Sequence, residues 1–390
     1  MGRQAFDVTL NPFHPTSHAV PTVGIDFGTT NSAIALDGQP LELRHEDTAR
    51  PLLPSVVAFL PSGARLVGEA ARARRIRDPK NTIYSAKRIL GQGWFSTRAR
   101  KFQRQYPFDL VEKNGGPAFK TRAGVHTPEE IAALILAEMT ERAALAPRGV
   151  EAAVGVPAVL GPQQRAATMT AARQVGFEPV RTVLEPVATA LAYSNGRSIR
   201  LGNVAVYDFG GGTFDLAVLD CTSWPFQVLA HGGDAYVGGD DIDQALAVAV
   251  ARTVLEKTRW DVRGDPTVFA QLVSACERAK IELCTAETAR ICLGEVDEAA
   301  PVPEAEVVLD REQLAKLSAE LVRSTFLTCD STLGDARIKA SEIDAVLLAG
   351  GTTKLPMVRE GVRKYFGREP RADVDPLTVV AIGASMAPAD

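Results

Sequence analysis

One short pattern occurs twice in the chain and constrains its fold more than any other feature. GIDFGTTNS spans Gly24 to Ser32, and YDFGGGTFD spans Tyr207 to Asp215. Each copy has an apolar strand, an aspartate, a glycine turn and a threonine, and a second strand follows at once. The repeated unit predicts two lobes of related design, one opening near Val23 and the other near Asn203.

Strands alternate with helices through most of the chain, which predicts the α/β class. Several helix ends are marked in the sequence. Thr127, Pro128 and Glu130 have the spacing of a capping box with proline at the first helical position, and Gly176 and Gly367 follow apolar-periodic segments as stop signals. At 390 residues with 46% apolar and 23% charged residues, the chain can form two domains with a sizeable core.

Charge and hydropathy exclude several function classes. The net charge of −4 gives no global reason to expect nucleic acid or an anionic membrane as a partner. The apolar runs are too short to span a bilayer and the N-terminus has no apolar segment of signal-peptide length, so a cytoplasmic protein is expected. The five cysteines have no C-x-x-C spacing, which predicts free thiols rather than disulfides or a zinc site.

Two segments stand apart from the α/β pattern. Residues 1–21 contain several prolines and no periodicity, which indicates a loose N-terminal arm. Residues 65–104 carry twelve Lys and Arg against two acidic residues. This segment is either a solvated helical surface or a docking patch for an acidic partner or nucleic acid, and the lack of regularly interleaved aromatic residues favours the surface.

The two acidic glycine turns have the chemistry of a metal–phosphate site. Glycine turns let backbone N–H groups donate to an anion, and Thr29, Thr30 and Thr213 add hydroxyl donors. An aspartate directly before such a turn repels a bare phosphate unless a hard cation lies between them. Mg²⁺ keeps several waters and needs few carboxylates besides phosphate oxygens. We therefore predict that Asp26 and Asp208 hold the waters of one metal ion from opposite walls of a cleft.

A third glycine turn, at Gly350 and Gly351, strengthens this interpretation, because an ordinary turn would explain either hairpin alone. GIDFGTTNS, VYDFGGGTFD and LLAGGTTKLPMV resemble the two phosphate motifs and the adenosine motif of the sugar kinase, actin and heat-shock chaperone superfamily. NTIYSAKRILG, VGVPAVLGPQQRAAT, LEPVATALAY, HGGDAYVGGDDID and ERAKIEL resemble the ATPase domain of the seventy-kilodalton heat-shock chaperones, of which DnaK is the bacterial type. The resemblance runs from about Val23 to Met386.

The resemblance implies an actin-like, ribonuclease H-like duplicated fold with two lobes and four subdomains around a central nucleotide cleft. Lobe I would span residues 22–200, with a subdomain inserted at about 57–127. Lobe II would span residues 201–390, with a subdomain inserted at about 246–324. Residues 1–21 would remain a flexible arm outside both lobes.

The resemblance also implies residue roles. Lys87 would orient the γ-phosphate region and stabilise charge, Glu185 would lie near the attacking water, and Thr213 would contact the γ-phosphate. Asp208 joins these three in the catalytic set. Asp26 and Asp208 would hold Mg²⁺ through water, and Asp215 would lie near a monovalent cation, K⁺. The residues implied to bind ATP or ADP are Gly28, Thr29, Thr30, Asn31, Gly210, Gly211, Gly212, Thr213, Gly238, Gly239, Glu277, Lys280, Cys284, Gly350, Gly351, Thr352 and Lys354.

The nucleoside end of the site departs from the family pattern. Lys354 stands where most members have an arginine that stacks on adenine, and a lysine cannot reproduce a planar stack. Cys284 replaces a serine and loses a strong hydroxyl donor. Leu377 replaces an acidic residue. These departures predict weaker nucleotide affinity, with the phosphate-facing set intact.

Partner surfaces depart as well. Leu184 and Val187 replace the usual Asn and Thr on the surface that meets J-domain cochaperones, although Arg181 is retained, and this argues against ordinary J-protein coupling. Pro157 and Arg165 match positions implied in signalling between domains. The family's apolar linker and β-rich substrate-binding domain find no counterpart in the sequence. We therefore expect a protein partner, such as a separate substrate-binding or cochaperone chain.

Three functions are compatible with these residues. The first is a slow ATPase whose nucleotide-dependent lobe closure is read by a partner, since phosphoryl transfer needs mainly positioning and charge stabilisation. The second is a nucleotide-gated binding module or cochaperone with incidental hydrolysis, which docks through residues 65–104. The third is an actin-like filament subunit or a metabolite kinase, because fold alone does not decide function. For a kinase, the sequence shows no catalytic base beyond Glu185.

Overall fold

The computed structural model describes residues 22–45, 48–158, 161–194 and 202–388. The predicted arm at residues 1–21 lies outside these ranges. Within them, no helix combines the length and the apolar character that crossing a bilayer requires.

The strands are short and distributed along the described chain. In chain order, β1 to β20 are Thr22–Asp26, Asn31–Leu36, Gln39–Pro40, Leu43–His45, Thr48–Arg50, Leu53–Pro54, Val56–Phe59, Arg65–Val67, Thr82–Tyr84, Asp109–Lys113, Gly116–Thr121, Gly124–His126, Glu151–Val156, Val180–Leu184, Asn203–Phe209, Phe214–Asp220, Gln227–Asp234, Thr288–Cys292, Glu306–Asp310 and Ala345–Ala349.

The helices lie between and after these strands. In chain order, α1 to α11 are Glu69–Arg72, Thr97–Gln105, Pro128–Arg142, Pro162–Val175, Glu185–Ser194, Gly239–Thr258, Pro266–Glu282, Leu293–Val296, Arg311–Ala336, Pro356–Phe366 and Val379–Met386.

Each lobe is built on one principal sheet, and the two sheets share a design. In lobe I the order is β14-β13-β1-β2-β3, with β6 also paired to β2. In lobe II the order is β17-β16-β15-β20. The first strand of each repeated hairpin pairs antiparallel with its hairpin partner and parallel with a later strand, which is β13 for β1 and β20 for β15. This repetition confirms the predicted α/β class and the duplicated architecture.

Smaller units extend from both principal sheets. Lobe I carries the three-stranded sheets β8-β7-β9 and β10-β11-β12, and lobe II carries the β18-β19 pair. α6, α7 and α9 pack with β18 and β19 against the sheet of lobe II in one apolar core. A separate core in lobe I includes α3 and α4.

A third apolar core joins the lobes. It contains Ala33 and Ala153 from the lobe I sheet, Val206 and Ala217 from the lobe II sheet, and residues of α5 and α11 between them. The two helices cross closely at Gly383, where an added Cβ would overlap the backbone of Ala188. The principal sheets are therefore connected through a packed helix pair at the base of the cleft.

Local signals in the sequence are confirmed. Thr127 and Glu130 form both bonds of the capping box at the start of α3. α4 ends at Gly176 with a φ of 110°, and α10 ends at Gly367 with a φ of 65°, so both stop signals occupy the left-handed conformation that favours glycine. All five cysteines are free, as predicted.

Candidate active site between the lobes

The two acidic glycine turns face a single cleft. Asp26 ends β1 and Asp208 lies near the end of β15. A cavity of about 110 Å³ brings both turns together with the third glycine turn and with the predicted catalytic residues. We call it the front cavity; its lining is Asp26, Gly28, Thr29, Thr30, Asn31, Lys87, Glu185, Asp208, Gly210, Gly211, Gly212, Thr213, Gly350, Gly351, Pro376, Leu377 and Val380.

The first turn is held by a serine that the sequence analysis missed. The Ser55 hydroxyl donates to the Gly28 carbonyl at 2.9 Å, and the Ser55 N–H donates to the Thr30 carbonyl at 2.8 Å. The turn also approaches the second turn closely, because a Cβ on Gly211 would overlap the Thr30 hydroxyl. Glycine is thus required where the two lobes meet.

The second turn is braced from behind. The Thr352 hydroxyl donates to the Gly210 carbonyl at 2.8 Å, and the Gly239 N–H donates to the same carbonyl at 3.0 Å. The Asp240 N–H donates to the Gly211 carbonyl at 2.7 Å. Three predicted contacts lie outside the lining of the front cavity, namely Gly238, Gly239 and Thr352. Gly239 and Thr352 instead position the second turn, which does line the cavity.

A buried ion pair lies between the two turns. Lys87 Nζ is 2.9 Å from Glu185 Oε1, and both side chains are largely buried. Burial alone would lower the pKa of Lys87, but the carboxylates of Glu185 and Asp26 more than offset it, and the pKa is raised. Lys87 therefore stays cationic in the cleft.

The carboxylates around Lys87 carry more negative charge than one lysine balances. Burial raises the pKa of Asp26 to about 7, with Lys87 lowering it and Glu185 raising it further. Burial and then Glu185 raise the pKa of Asp215 to about 7, and the same causes, with Asp215 and Asp26, hold the pKa of Asp208 well above its usual range. A cluster of this kind is stabilised by an additional cation.

The donor set fits magnesium bound through water. In the described ranges, no group of three or more His, Cys, Asp or Glu side chains is placed to hold a metal ion directly. Asp26 and Asp208 line the same cavity, and the charge of Asp26 helps to raise the pKa of Asp208, while the cavity keeps space for solvent. Mg²⁺ retains waters and takes few protein carboxylates, which matches this arrangement. Asp215 lines a neighbouring cavity, so its predicted K⁺ contact stays a prediction.

Four predicted nucleoside contacts have protein partners and do not line the front cavity. Lys354 Nζ is 2.8 Å from Asp375, and Lys280 Nζ is 2.7 Å from Asp243. The other two partnerships are Glu277 with the Arg72 guanidinium and the Cys284 thiol with the Lys280 carbonyl. Contacts of Glu277, Lys280, Cys284 and Lys354 with ribose or adenine therefore stay predictions.

The basic segment 65–104 differs from the expected helical surface. It contains β8, α1, β9, most of α2 and two 3₁₀ turns. Arg72 of this segment pairs with Glu277 in lobe II. Arg88 donates to the Gly212 carbonyl at 2.7 Å and to the Ala235 carbonyl. Lys101 Nζ lies 2.9 Å from the centre of the Tyr236 ring. The expectation of a solvated helical surface was wrong, because the segment contains strands as well as helices and part of its charge faces the other lobe.

The duplicated sheets, the central cleft and the paired acidic turns define an actin-like nucleotide-binding fold. Within that class, the chain belongs to the Hsp70 protein family, whose model matches residues 22–389. Members of this family are generally ATPases that bind ATP or ADP with Mg²⁺. The membership confirms the resemblance seen in the sequence and supports a DnaK-like nucleotide-binding chaperone ATPase domain.

Proposed function

We propose that this protein binds Mg-ATP between its lobes and hydrolyses it slowly to ADP and phosphate, and that a partner protein reads the resulting change in lobe closure. The observation that carries the proposal is the Lys87–Glu185 pair, 2.9 Å apart, in one cavity with Asp26, Asp208 and Thr213. A cation, a carboxylate for water and two metal-facing acids are sufficient for phosphoryl transfer to water.

Different residues of the site bind phosphate, stabilise charge and hold the metal. Backbone N–H groups of the glycine turns and the hydroxyls of Thr29 and Thr213 bind phosphate oxygens. Lys87 donates to the terminal phosphate and stabilises the charge that develops on it, and its raised pKa keeps the donor protonated. Asp26 and Asp208 would hold Mg²⁺, which when bound neutralises phosphate charge.

Glu185 accepts a hydrogen bond from the attacking water and orients it toward the terminal phosphorus. The water oxygen forms a bond to that phosphorus while the bond to the bridging oxygen of ADP breaks. The proton lost by the water passes through Glu185 to solvent. Because Lys87 holds Glu185 at 2.9 Å, the carboxylate is fixed in direction before the water binds.

The contacts across the cleft support a closing motion. Arg72 and Arg88 in lobe I bond to Glu277 and Gly212 in lobe II, whereas the base is held by the packed pair α5 and α11. Contacts at the mouth can open while the base stays packed, which is the geometry of a hinge. A partner that binds one lobe angle better than the other would respond to nucleotide.

Calorimetric titration with Mg-ATP tests binding, and absence of heat at high protein concentration would refute the proposal. Single-turnover assays of Lys87→Ala and Glu185→Gln test hydrolysis. We expect each to lower the rate about 10²-fold with ATP still bound. Lys80→Ala, which removes an exposed lysine paired with Asp109, is the control and should leave the rate unchanged. If partner binding survives loss of hydrolysis, the protein is a nucleotide-gated module instead.

A further inference from the structure

Lobe I carries a groove that lies apart from the cleft. It measures about 680 Å³, against about 110 Å³ for the front cavity, and the two share no lining residue. We call it the α3 groove, because residues of α3 from Glu130 to Thr140 form its long side. β12 lies at the start of this helix, and Pro147 and the last turn of α4 complete the lining.

The helix α3 is apolar toward the groove as well as toward the core. Ile131 and Ile135 are buried in the core of lobe I. Ala133, Leu134 and Ala137 line the groove and keep part of their surface exposed. Their spacing places them on one face of the helix. A helix that is apolar on several faces is normally covered on all of them, so the groove calls for an apolar cover.

The β12 end of the groove combines aromatic rings with a cation. The rings of Phe59 and His126 stack with their centres 4.4 Å apart, and Val125 leaves apolar surface exposed beside them. Arg65, directly opposite Phe59 in the β7–β8 pair, is exposed, and among the described residues it forms no ion pair within 4.0 Å. This end suits a ligand that has an apolar or aromatic group next to an acidic one.

The chain that precedes β1 contains a segment with this chemistry. Residues 6–10 read FDVTL, in which apolar and polar residues alternate. Alternation of this kind predicts an extended segment with Phe6, Val8 and Leu10 on one face. Asp7, next to the aromatic residue, is the only acidic residue among residues 1–21.

The length of the segment matches the groove. Ten helical steps, from Glu130 to Thr140, correspond to about 15 Å at about 1.5 Å per residue. Five extended residues span about 16 Å at about 3.3 Å per residue. A five-residue strand can therefore cover the whole apolar face of α3.

The start of β1 places this segment within reach. Thr22 pairs with Glu151 at the start of β13, and Glu151 follows the turn in which the Val150 N–H donates to the Pro147 carbonyl at 3.0 Å. β1 therefore begins beside the Pro147 end of the groove. Residues 11–21, between the segment and β1, can span roughly 35–40 Å when extended, which exceeds the length of the groove.

From these observations we propose that the α3 groove binds an extended apolar segment and that residues 6–10 of the same chain occupy it. Phe6 packs on the stacked rings at the β12 end, and Asp7 pairs with Arg65 at the rim. The docked segment bridges α3 and the small sheets of lobe I, and so holds that subdomain in place. This inference is independent of nucleotide hydrolysis and replaces the loose arm that the sequence analysis expected.

Photo-crosslinking tests the contact in the full chain. Benzoylphenylalanine in place of Phe6 should, on illumination, join a peptide of β12 or α3 within one monomer, and mass spectrometry after digestion locates the link. Benzoylphenylalanine in place of Ser17 is the control and should give no link to β12, because Ser17 is near β1 in the sequence.

A competition assay tests whether the groove is filled by its own chain. The full-length double variant Phe6→Asp and Leu10→Asp should leave the groove open. A fluorescent peptide with the sequence of residues 4–12 should bind this variant in anisotropy measurements. It should bind the unsubstituted protein about tenfold more weakly or less, because a tethered segment competes at high effective concentration.

One further substitution in the double variant localises the peptide. Ala137→Lys places a charge on the apolar face of α3 and should abolish peptide binding. Ala319→Lys, at an exposed alanine on α9, is the matched control and should leave peptide binding unchanged.

Four outcomes would overturn the proposal. They are equal peptide affinity in the unsubstituted protein and the double variant, no peptide binding to either, peptide binding that is insensitive to Ala137→Lys, and links from position 6 that join two chains. The last outcome would show that a second copy covers the groove instead.

Discussion

Replacing Lys280 with methionine tests whether this lysine supports the fold or contacts nucleotide. Lys280 is 9% exposed and Asp243 is 2% exposed, and the lysine Nζ donates to Asp243 Oδ2 at 2.7 Å and to the Gly239 carbonyl at 2.9 Å. Lys280→Met would leave a buried carboxylate whose other oxygen already has no hydrogen-bond partner among the described residues. Loss of one partner from a buried pair costs about 3–5 kcal/mol.

Urea unfolding measures this cost as a lower midpoint. Lys257→Met, at an exposed lysine on α6, is the control and should shift the free energy of unfolding by less than about 0.5 kcal/mol. The double variant Lys280→Met and Asp243→Leu should recover most of the loss, because neither charge is then left unpaired. If Lys280→Met weakens ADP binding at unchanged stability, Lys280 is a nucleotide ligand and the structural assignment is refuted.

Three further predictions concern the cleft. Arg72→Ala should speed ADP release about two- to fivefold in stopped-flow fluorescence, since it removes a partly exposed pair worth about 0.5–1 kcal/mol; Arg77→Ala, at an exposed arginine, should not. Because the pKa of Asp26 is raised to about 7 and that of Asp208 is also raised, Mg²⁺ affinity should rise with pH through about 7, and binding should release protons; equal calorimetric heats in buffers of different ionisation enthalpy would contradict this. Asp208→Asn should lower turnover about 10²-fold, and an unchanged rate would reject its metal role.

The sequence predicted the parts of the fold that depend on local signals. The two hairpins, the capping box at Thr127 and the glycine stop at Gly176 each occupy a few consecutive residues, and the structure confirms them. The shared cavity of the two acidic turns followed from the same hairpins, because a turn that ends a strand is placed by that strand.

The contacts between distant segments could not be predicted in this way. Arg72 and Glu277 lie more than two hundred positions apart, and nothing in the local pattern of either shows that they meet. Asp240 and Asp241, next to Gly239, were a signal that lobe II carries negative charge opposite the basic segment. Charge patterns alone do not show which basic residue pairs with which acidic residue. The bracing of Gly210 by Thr352 depends on backbone geometry that one sequence does not reveal.

The shape of this molecule should depend on ionic strength, because guanidinium and ammonium groups of residues 65–104 contact the opposite lobe. The Arg72–Glu277 pair keeps some exposure to water, and at 1 M salt the screening length falls to about 3 Å, which is comparable to the separation in a contact ion pair. Concentrated salt should therefore loosen the mouth of the cleft in the absence of nucleotide, while the apolar helix pair at its base holds. The salt concentration would then determine the degree of lobe closure in the nucleotide-free protein to which a partner first binds.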